Sequence, residues 1–176
     1  HEHQRGFLHG RSILQNLLDI DTASLQTALT GNTGALVLFD FSSAFPSVSQ
    51  DFLHRCLERL GVPPSAQNLV HGLYHEHSCR IVIKGQHYPG FHLAGGIRQG
   101  CPLSLLLFAV TADLLLRRIT ALLPAALVRA FADDTAVVVQ EFAEDAPVLA
   151  KAFAEFAAMS GLALNLPKTV VIPLWT

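Results

Sequence analysis

The chain has 176 residues, of which 51% are hydrophobic and 15% charged, and its 12 basic and 14 acidic side chains leave a net charge of −2. An ordinary soluble domain is ~25% charged. This composition excludes a disordered chain, a disulfide scaffold and a polybasic nucleic-acid binder, and the length is enough to bury one core.

Apolar residues Ile13, Leu17, Leu18, Leu25 and Leu29 recur at helical spacing and predict a helix over 12–29, with Ser12 as its N-cap. The turn Gly31-Asn32-Thr33-Gly34 follows. Residues 35–41 (ALVLFDF) predict a short buried strand with one odd member, Asp40. A helix over 49–60, capped by Ser47 or Ser49 and stopped by Gly61, precedes another over 65–75. Residues 78–84 and 87–93 predict a hairpin around Gly85-Gln86. A glycine-rich loop over 94–100 leads into a long helix over 102–122, with Pro102 at a permitted first-turn position. The apolar runs 127–132 and 135–140 are separated only by Asp133-Asp134, which predicts a tight hairpin. A helix over 146–160 stops at Gly161, and short strands are expected over 162–166 and 169–174. The order gives an α+β fold, an antiparallel sheet covered by helices on one face.

The longest uncharged apolar piece, 101–112, falls short of the ~20 residues that span a bilayer, so no membrane contact is expected. Cys56, Cys79 and Cys101 are odd in number and widely spaced, and read as reduced intracellular thiols. The only methionine is Met159, no signal peptide opens the chain, and the sequence reads as a piece of something longer. His71 and His75 stand i,i+4 with His77 nearby. No glutamate lies between them, since Glu76 falls outside the pair, so they read as surface or packing histidines rather than a zinc site.

Three carboxylates stand out. Asp40 lies within an apolar strand, and Asp133 and Asp134 lie between Phe131-Ala132 and the run 135–139. An ionised carboxylate buried without a partner costs several kcal/mol. One reading makes Asp133-Asp134 a hairpin turn and Asp40 an Asx-turn residue at a strand end. The other sets the two strands side by side, with the carboxylates converging on Mg²⁺. That ion is held by one or two carboxylates plus substrate phosphates, and two-metal polymerase sites keep their ions ~3.5–4 Å apart.

Ordered motifs favour the second reading. Phe39-Asp40-Phe41-Ser42-Ser43-Ala44-Phe45 has an aspartate, three residues, then Ala and an aromatic. Residues 96–104 read Gly-Ile-Arg-Gln-Gly-Cys-Pro-Leu-Ser, and Phe131-Ala132-Asp133-Asp134 is an aromatic-Ala-Asp-Asp box. Residues 161–169 (GLALNLPKT) follow it, and residues 5–12 (RGFLHGRS) precede the first strand. In this order the set resembles the palm of reverse transcriptases, particularly those of non-LTR retrotransposons. The sequence departs from the family's usual pattern at Ser43, where Lys is common, and at Pro46 and Leu105. None of these is a metal ligand.

The resemblance implies a polymerase palm over 35–176 with part of the fingers over 1–34, the upstream fingers and the thumb lying outside the sequence. It implies RNA-directed DNA polymerisation, with two Mg²⁺ ions (Mn²⁺ as a substitute) held by Asp40, Asp133, Asp134 and the backbone carbonyl of Phe41. By the same resemblance Asp40, Asp133, Asp134 and Lys168 are the catalytic set, with Lys168 the general acid toward pyrophosphate. Phe45 is the steric gate against a ribose 2′-hydroxyl, and Gln99 and Gly100 adjoin the incoming nucleotide. Arg11 and Arg98 touch nucleic-acid phosphates, a task that suits guanidinium. The implied partners are an RNA template, a DNA primer and deoxynucleoside triphosphates, and the implied location is intracellular, nuclear or cytoplasmic. Two rivals remain: a catalytically inactive domain of the same type that binds RNA or protein, and an RNA-dependent RNA polymerase, against which Phe45 argues.

Overall fold

A computed structural model describes residues 2–6, 9–31, 33–76 and 78–175. The expected turn residue Asn32, Phe7 and Leu8 of the segment 5–12, and His77 lie outside them. In chain order the elements are α1 (Ile13–Thr30), β1 (Ala35–Phe39), the single turn α2 (Ala44–Ser47), α3 (Gln50–Arg59), α4 (Pro64–Tyr74), β2 (Ser78–Ile83) and β3 (Gln86–His92). Then come α5 (Pro102–Leu122), β4 (Leu127–Phe131), β5 (Asp134–Val139), α6 (Phe142–Ser160), a 3₁₀ turn (Leu166–Lys168) and β6 (Val170–Pro173).

A four-stranded antiparallel sheet runs in the order β4-β5-β1-β6. Chain neighbours β4 and β5 form its hairpin, and β1 is inserted between β5 and β6. Its register runs from Ala35↔Val139 to Phe39↔Thr135 on one side and from Ala35↔Pro173 to Leu38↔Val170 on the other. Strand alternation sends Ala35, Val37 and Phe39 to one face, and all three are buried. There α6 sets Phe153 against Phe39, ring centroids 4.4 Å apart. Helix α5 packs on α6 and contributes the buried Phe108, Leu115, Leu116 and Ile119. The expected one-face covering holds for α5 and α6. Helix α1 lies on the opposite face, where Ile13, Leu17 and Ile20 line a space shared with Leu38, Phe131 and Ala136. The buried Asn16 ties it down, donating from Nδ2 to the Ala130 carbonyl at 3.0 Å. Leu14, Leu18, Leu25 and Leu29 point away and are exposed.

Three local expectations change. Helix α6 starts at Phe142, four residues before the sequence boundary. The Phe142 N–H donates to the Thr33 carbonyl at 2.9 Å, and Glu144 and Asp145 favour the helix N-terminus, so Pro147 sits inside the helix. Residues 162–166 form no strand, only the single bridge Phe41↔Leu164, and Pro167, which cannot donate to a ladder, lies in the 3₁₀ turn instead. The exposed β2–β3 hairpin turns at Lys84-Gly85, both with positive φ, one residue earlier than expected, and forms a separate two-stranded sheet. Ser12 and Ser49 cap α1 and α3 as expected, accepting from the N–H groups of Leu14 and Phe52. All three cysteines are free thiols, and among the described residues no helix is long and apolar enough to cross a membrane.

Candidate active site

The site lies where β1 ends beside the β4–β5 turn. The pairing Phe39↔Thr135 places Asp40, one residue past β1, next to Asp134, the first residue of β5. Phe39 and Phe41 both contact Phe153, at 4.4 and 6.1 Å, so the intervening Asp40 side chain is directed away from the α6 face. The backbone beyond β1 is held by the segment after α6. The Asn165 N–H donates to the Asp40 carbonyl at 2.8 Å, and the Ser42 N–H donates to the Ala163 carbonyl at 2.8 Å.

Two non-glycine residues beside the carboxylates adopt left-handed backbone: Ala132 (φ +59°), immediately before Asp133, and Ser43 (φ +52°), three after Asp40. Ala132 occupies the first of the two turn residues between β4 and β5, a slot that favours glycine, and the conformation costs an L-residue roughly 1–2 kcal/mol. Strain at both carboxylate segments is what a site held in shape by its surroundings carries.

The electrostatics agree with a shared site. Asp134 is largely solvated, yet partial desolvation raises its carboxyl above the ordinary range, and the negative charges of Asp133 and Asp40 push it the same way. Lys168 Nζ stands 3.5 Å from Asp40 Oδ2, with its own side chain 69% exposed. Asp40 Oδ2 is buried and accepts no hydrogen bond. The donor chemistry therefore fits a hard divalent cation: carboxylate oxygens, one of them left without a hydrogen bond, beside other carboxylates that repel it. Among the described residues no three His, Cys, Asp or Glu side chains already stand in ligating geometry. Backbone carbonyl, water and substrate phosphate are left to complete any shell.

The remaining sequence-derived candidates are spread around this centre. Phe45, in α2, is half-buried, stacks on Phe108 at 5.0 Å, and has its carbonyl held by the Ile97 N–H at 2.8 Å. Arg98, Gln99 and Gly100 are exposed on the loop before α5, with Gly100 at φ +86°. The Arg11 guanidinium donates to the Gln4 carbonyl. His71 stacks on His75 at 5.4 Å and meets His54 at 5.3 Å, a ring cluster away from the carboxylates.

Sequence reasoning stopped at Arg5, the start of the motif 5–12, and passed over Gln4. Segment 3–5 adds to the free edge of β4: the Arg5 N–H donates to the Ala130 carbonyl and the Ala130 N–H to the His3 carbonyl, each at 2.9 Å. Asp19 of α1 bridges Arg5 (2.8 Å) and Arg129 (2.7 Å). Hydrogen bonding from Arg129 first, then from Gln15 and Arg5, holds the Asp19 carboxyl down at about 2. A pairing this short leaves no periodic signal; a buried-side glutamine two residues before a glycine was the only trace.

An antiparallel sheet backed by two helices, with carboxylates at the ends of its two central strands, is the palm of a nucleic-acid polymerase. A family model described as reverse transcriptase (RNA-dependent DNA polymerase) matches residues 1–173, and the chain belongs to that family. Among its relatives is the retrovirus-related Pol polyprotein from the type-1 retrotransposable element R2 of Popillia japonica, 28% identical over 184 aligned residues that cover 98% of this chain. The corresponding polyprotein of the type-2 element R2DM of Drosophila melanogaster is 28% identical over 175 residues, covering 96% of this chain. The chain spans 25% and 16% of the lengths of these two relatives. Candida tropicalis telomerase, solved with the TWJ fragment of telomeric RNA, superposes with a TM-score of 0.74 over 98% of this chain and 30% of its own. At 16% identity that likeness concerns the fold.

Proposed function

We propose that the chain is the palm of a retrotransposon-encoded reverse transcriptase, which joins a deoxynucleotide to a DNA primer 3′-hydroxyl on an RNA template with the help of two Mg²⁺ ions. The observation that carries this reading is the meeting of Asp40, whose buried Oδ2 accepts no hydrogen bond, and the Asp133-Asp134 turn across the β1–β5 pair. The R2 relatives support the retrotransposon setting, and the family supports a divalent metal. In this reading residues 35–176 are the palm and 1–34 part of the fingers.

Asp40, Asp133 and the Phe41 carbonyl would hold the metal, with Asp134 as the outer carboxylate; Mn²⁺ would also suit these oxygen donors. A divalent cation bound there would supply Lewis-acid charge stabilisation for the primer hydroxyl and the departing pyrophosphate. The protein's part is positioning: β1 and the β4–β5 turn fix the carboxylates, so little rearrangement is left for the reaction. Lys168, paired with Asp40, would give a proton to the leaving phosphate oxygen. Phe45, stacked on Phe108, would be the ring that excludes a ribose 2′-hydroxyl. Gln99 and Gly100 offer a two-way hydrogen-bonding amide and an uncovered backbone to the nucleotide. Arg98 and Arg11 are the guanidinium groups that would serve nucleic-acid phosphates.

The test is Mg²⁺-dependent extension of a DNA primer on an RNA template, by the chain alone and within its full reading frame, beside Asp133→Ala. Extension abolished in the variant supports the reading. A variant that extends as fast as its parent sinks it, and a folded parent that binds template without extending it returns the function to a non-catalytic binding domain.

A further inference from the structure

We infer that Gln4 is a positioning residue of this site: its side-chain amide fixes the left-handed backbone of Ala132 and thereby sets where Asp133 and Asp134 stand relative to Asp40. The inference deepens the polymerase reading and rests on it.

Gln4 is 1% exposed. Its Oε1 accepts from the Ala132 N–H at 3.0 Å, and its Nε2 donates to the Ala132 carbonyl at 3.1 Å. One primary amide thus satisfies both backbone groups of one residue, which a carboxylate or a hydroxyl of the same reach cannot do in the same way. Ala132 is itself buried and sits at the bend, where the β4–β5 ladder offers its N–H and carbonyl no partner. Left unpaired, two buried backbone groups would favour a different turn. Gln4 removes that incentive and holds the strained conformation.

The glutamine is itself well fixed. Its Oε1 also accepts from the Gly6 N–H at 2.8 Å, and the backbone on either side of it pairs with Ala130. Asp19 then bolts Arg5 to Arg129. Gly6 lies so close to the turn that a Cβ there would come within 2.1 Å of the Ala132 nitrogen. The chain therefore lays a rigid edge against the turn, and the contact ends on the residue that directly precedes the paired aspartates. Any rotation about Ala132 carries Asp133 and Asp134 together, which is why a residue with no contact to metal or substrate can govern both.

A glutamine that only fills space would be replaced by methionine, of similar length and apolar, without consequence for the carboxylates. The experiment uses the ¹⁵N-labelled chain, with amide hydrogen exchange as one observable. The other is paramagnetic broadening of the Asp133 and Asp134 amide signals by Mn²⁺. In Gln4→Met the Ala132 amide should exchange about tenfold faster while Val137 and Val138 in β5 keep their protection. Half-broadening at the two aspartates should then need about tenfold more Mn²⁺, the size of effect typical of a lost residue behind a metal ligand. Gln4→Asn keeps the amide on a stem one methylene too short to reach both groups; it should shift the Mn²⁺ titration in the same direction by less, and it serves if the methionine variant does not fold. An unchanged Mn²⁺ titration in the folded variants overturns the inference even if exchange at Ala132 rises. Absence of broadening at Asp133 and Asp134 in the unaltered chain overturns the polymerase reading and this inference with it, a result visible before any variant is made.

Discussion

Phe153 offers the sharpest link between core packing and the candidate site. It is 2% exposed, and its ring meets Phe39 at 4.4 Å and Phe41 at 6.1 Å, the two neighbours of Asp40. Truncating a buried phenylalanine to alanine removes its transfer free energy and leaves a cavity, together about 3–5 kcal/mol. The two lost ring pairs place Phe153→Ala in the upper half of that range, about 4 kcal/mol. Domains of this kind have roughly 5–15 kcal/mol in hand, so the variant should still fold at room temperature. At about 2–4 °C per kcal/mol for a chain of this length, its melting temperature should fall by about 8–16 °C. Phe153→Leu refills most of the space and should lose only about 1–2 kcal/mol. Urea unfolding followed by far-UV circular dichroism measures both. Because the ring braces both sides of Asp40, Mg²⁺-dependent primer extension should fall in Phe153→Ala at temperatures where the fold is intact. A loss below about 2 kcal/mol, or a leucine variant as unstable as the alanine variant, would refute the claim that this ring is the keystone under β1.

Three other outcomes are expected. The Asp134 carboxyl is raised in the folded chain, so its contribution to stability is complete below the unfolded value of 3.8 and lost as pH rises through the folded value. Asp134→Asn should therefore be more stable than its parent at neutral pH, with the difference vanishing in acid, as urea midpoints across pH will show. Asp19 behaves oppositely: lowered from 3.8 to about 2, it stabilises above 3.8 and ceases to do so as pH falls through 2. After allowance for solvent screening at this partly exposed site, Asp19→Asn should lose about 1 kcal/mol at neutral pH and match its parent near pH 2, measured by the same titration. Gly161 caps α6 at φ +78°, and a Cβ there would come within 2.1 Å of the Ser47 carbonyl oxygen. Gly161→Ala should therefore lose more than the ~1 kcal/mol of a strained backbone alone, read as a fall in melting temperature.

Much of the fold was legible because it is written in local patterns. The apolar run at 35–39, the long helix from Pro102 and the paired runs around Asp133-Asp134 became β1, α5 and the β4–β5 hairpin within a residue or two. The carboxylates were conspicuous for the opposite reason: they break the pattern of the strands that carry them, and charge in an apolar strand needs an explanation. Sequence periodicity carried no information where long-range bonds decide. Helix α6 gains its first turn from a bond to Thr33, more than a hundred residues away, and residues 162–165 are shaped by their bonds to Asp40 and Ser42 rather than by strand propensity. Gln4 was invisible because its two partners, the N–H and carbonyl of Ala132, belong to the backbone, which has no letter. The placement of α1 on the far face is fixed by Asn16 and Asp19, two of the helix's several polar residues, whose partners could not be named in advance.

The stretch after α6 works as a spacer of fixed length. Gly161 abuts Ser47, the Ala163 carbonyl receives Ser42, Asn165 donates to the Asp40 carbonyl, and Lys168 closes on Asp40 Oδ2. Because the attachments follow one another so closely, inserting or deleting a residue would put every later one out of step and swing the lysine off its carboxylate. Leu166, largely exposed on the same stretch, is freer to change in identity. Selection here should act on the count of residues more strongly than on their letters, and chains that diverge elsewhere by loop insertions should keep this interval unbroken.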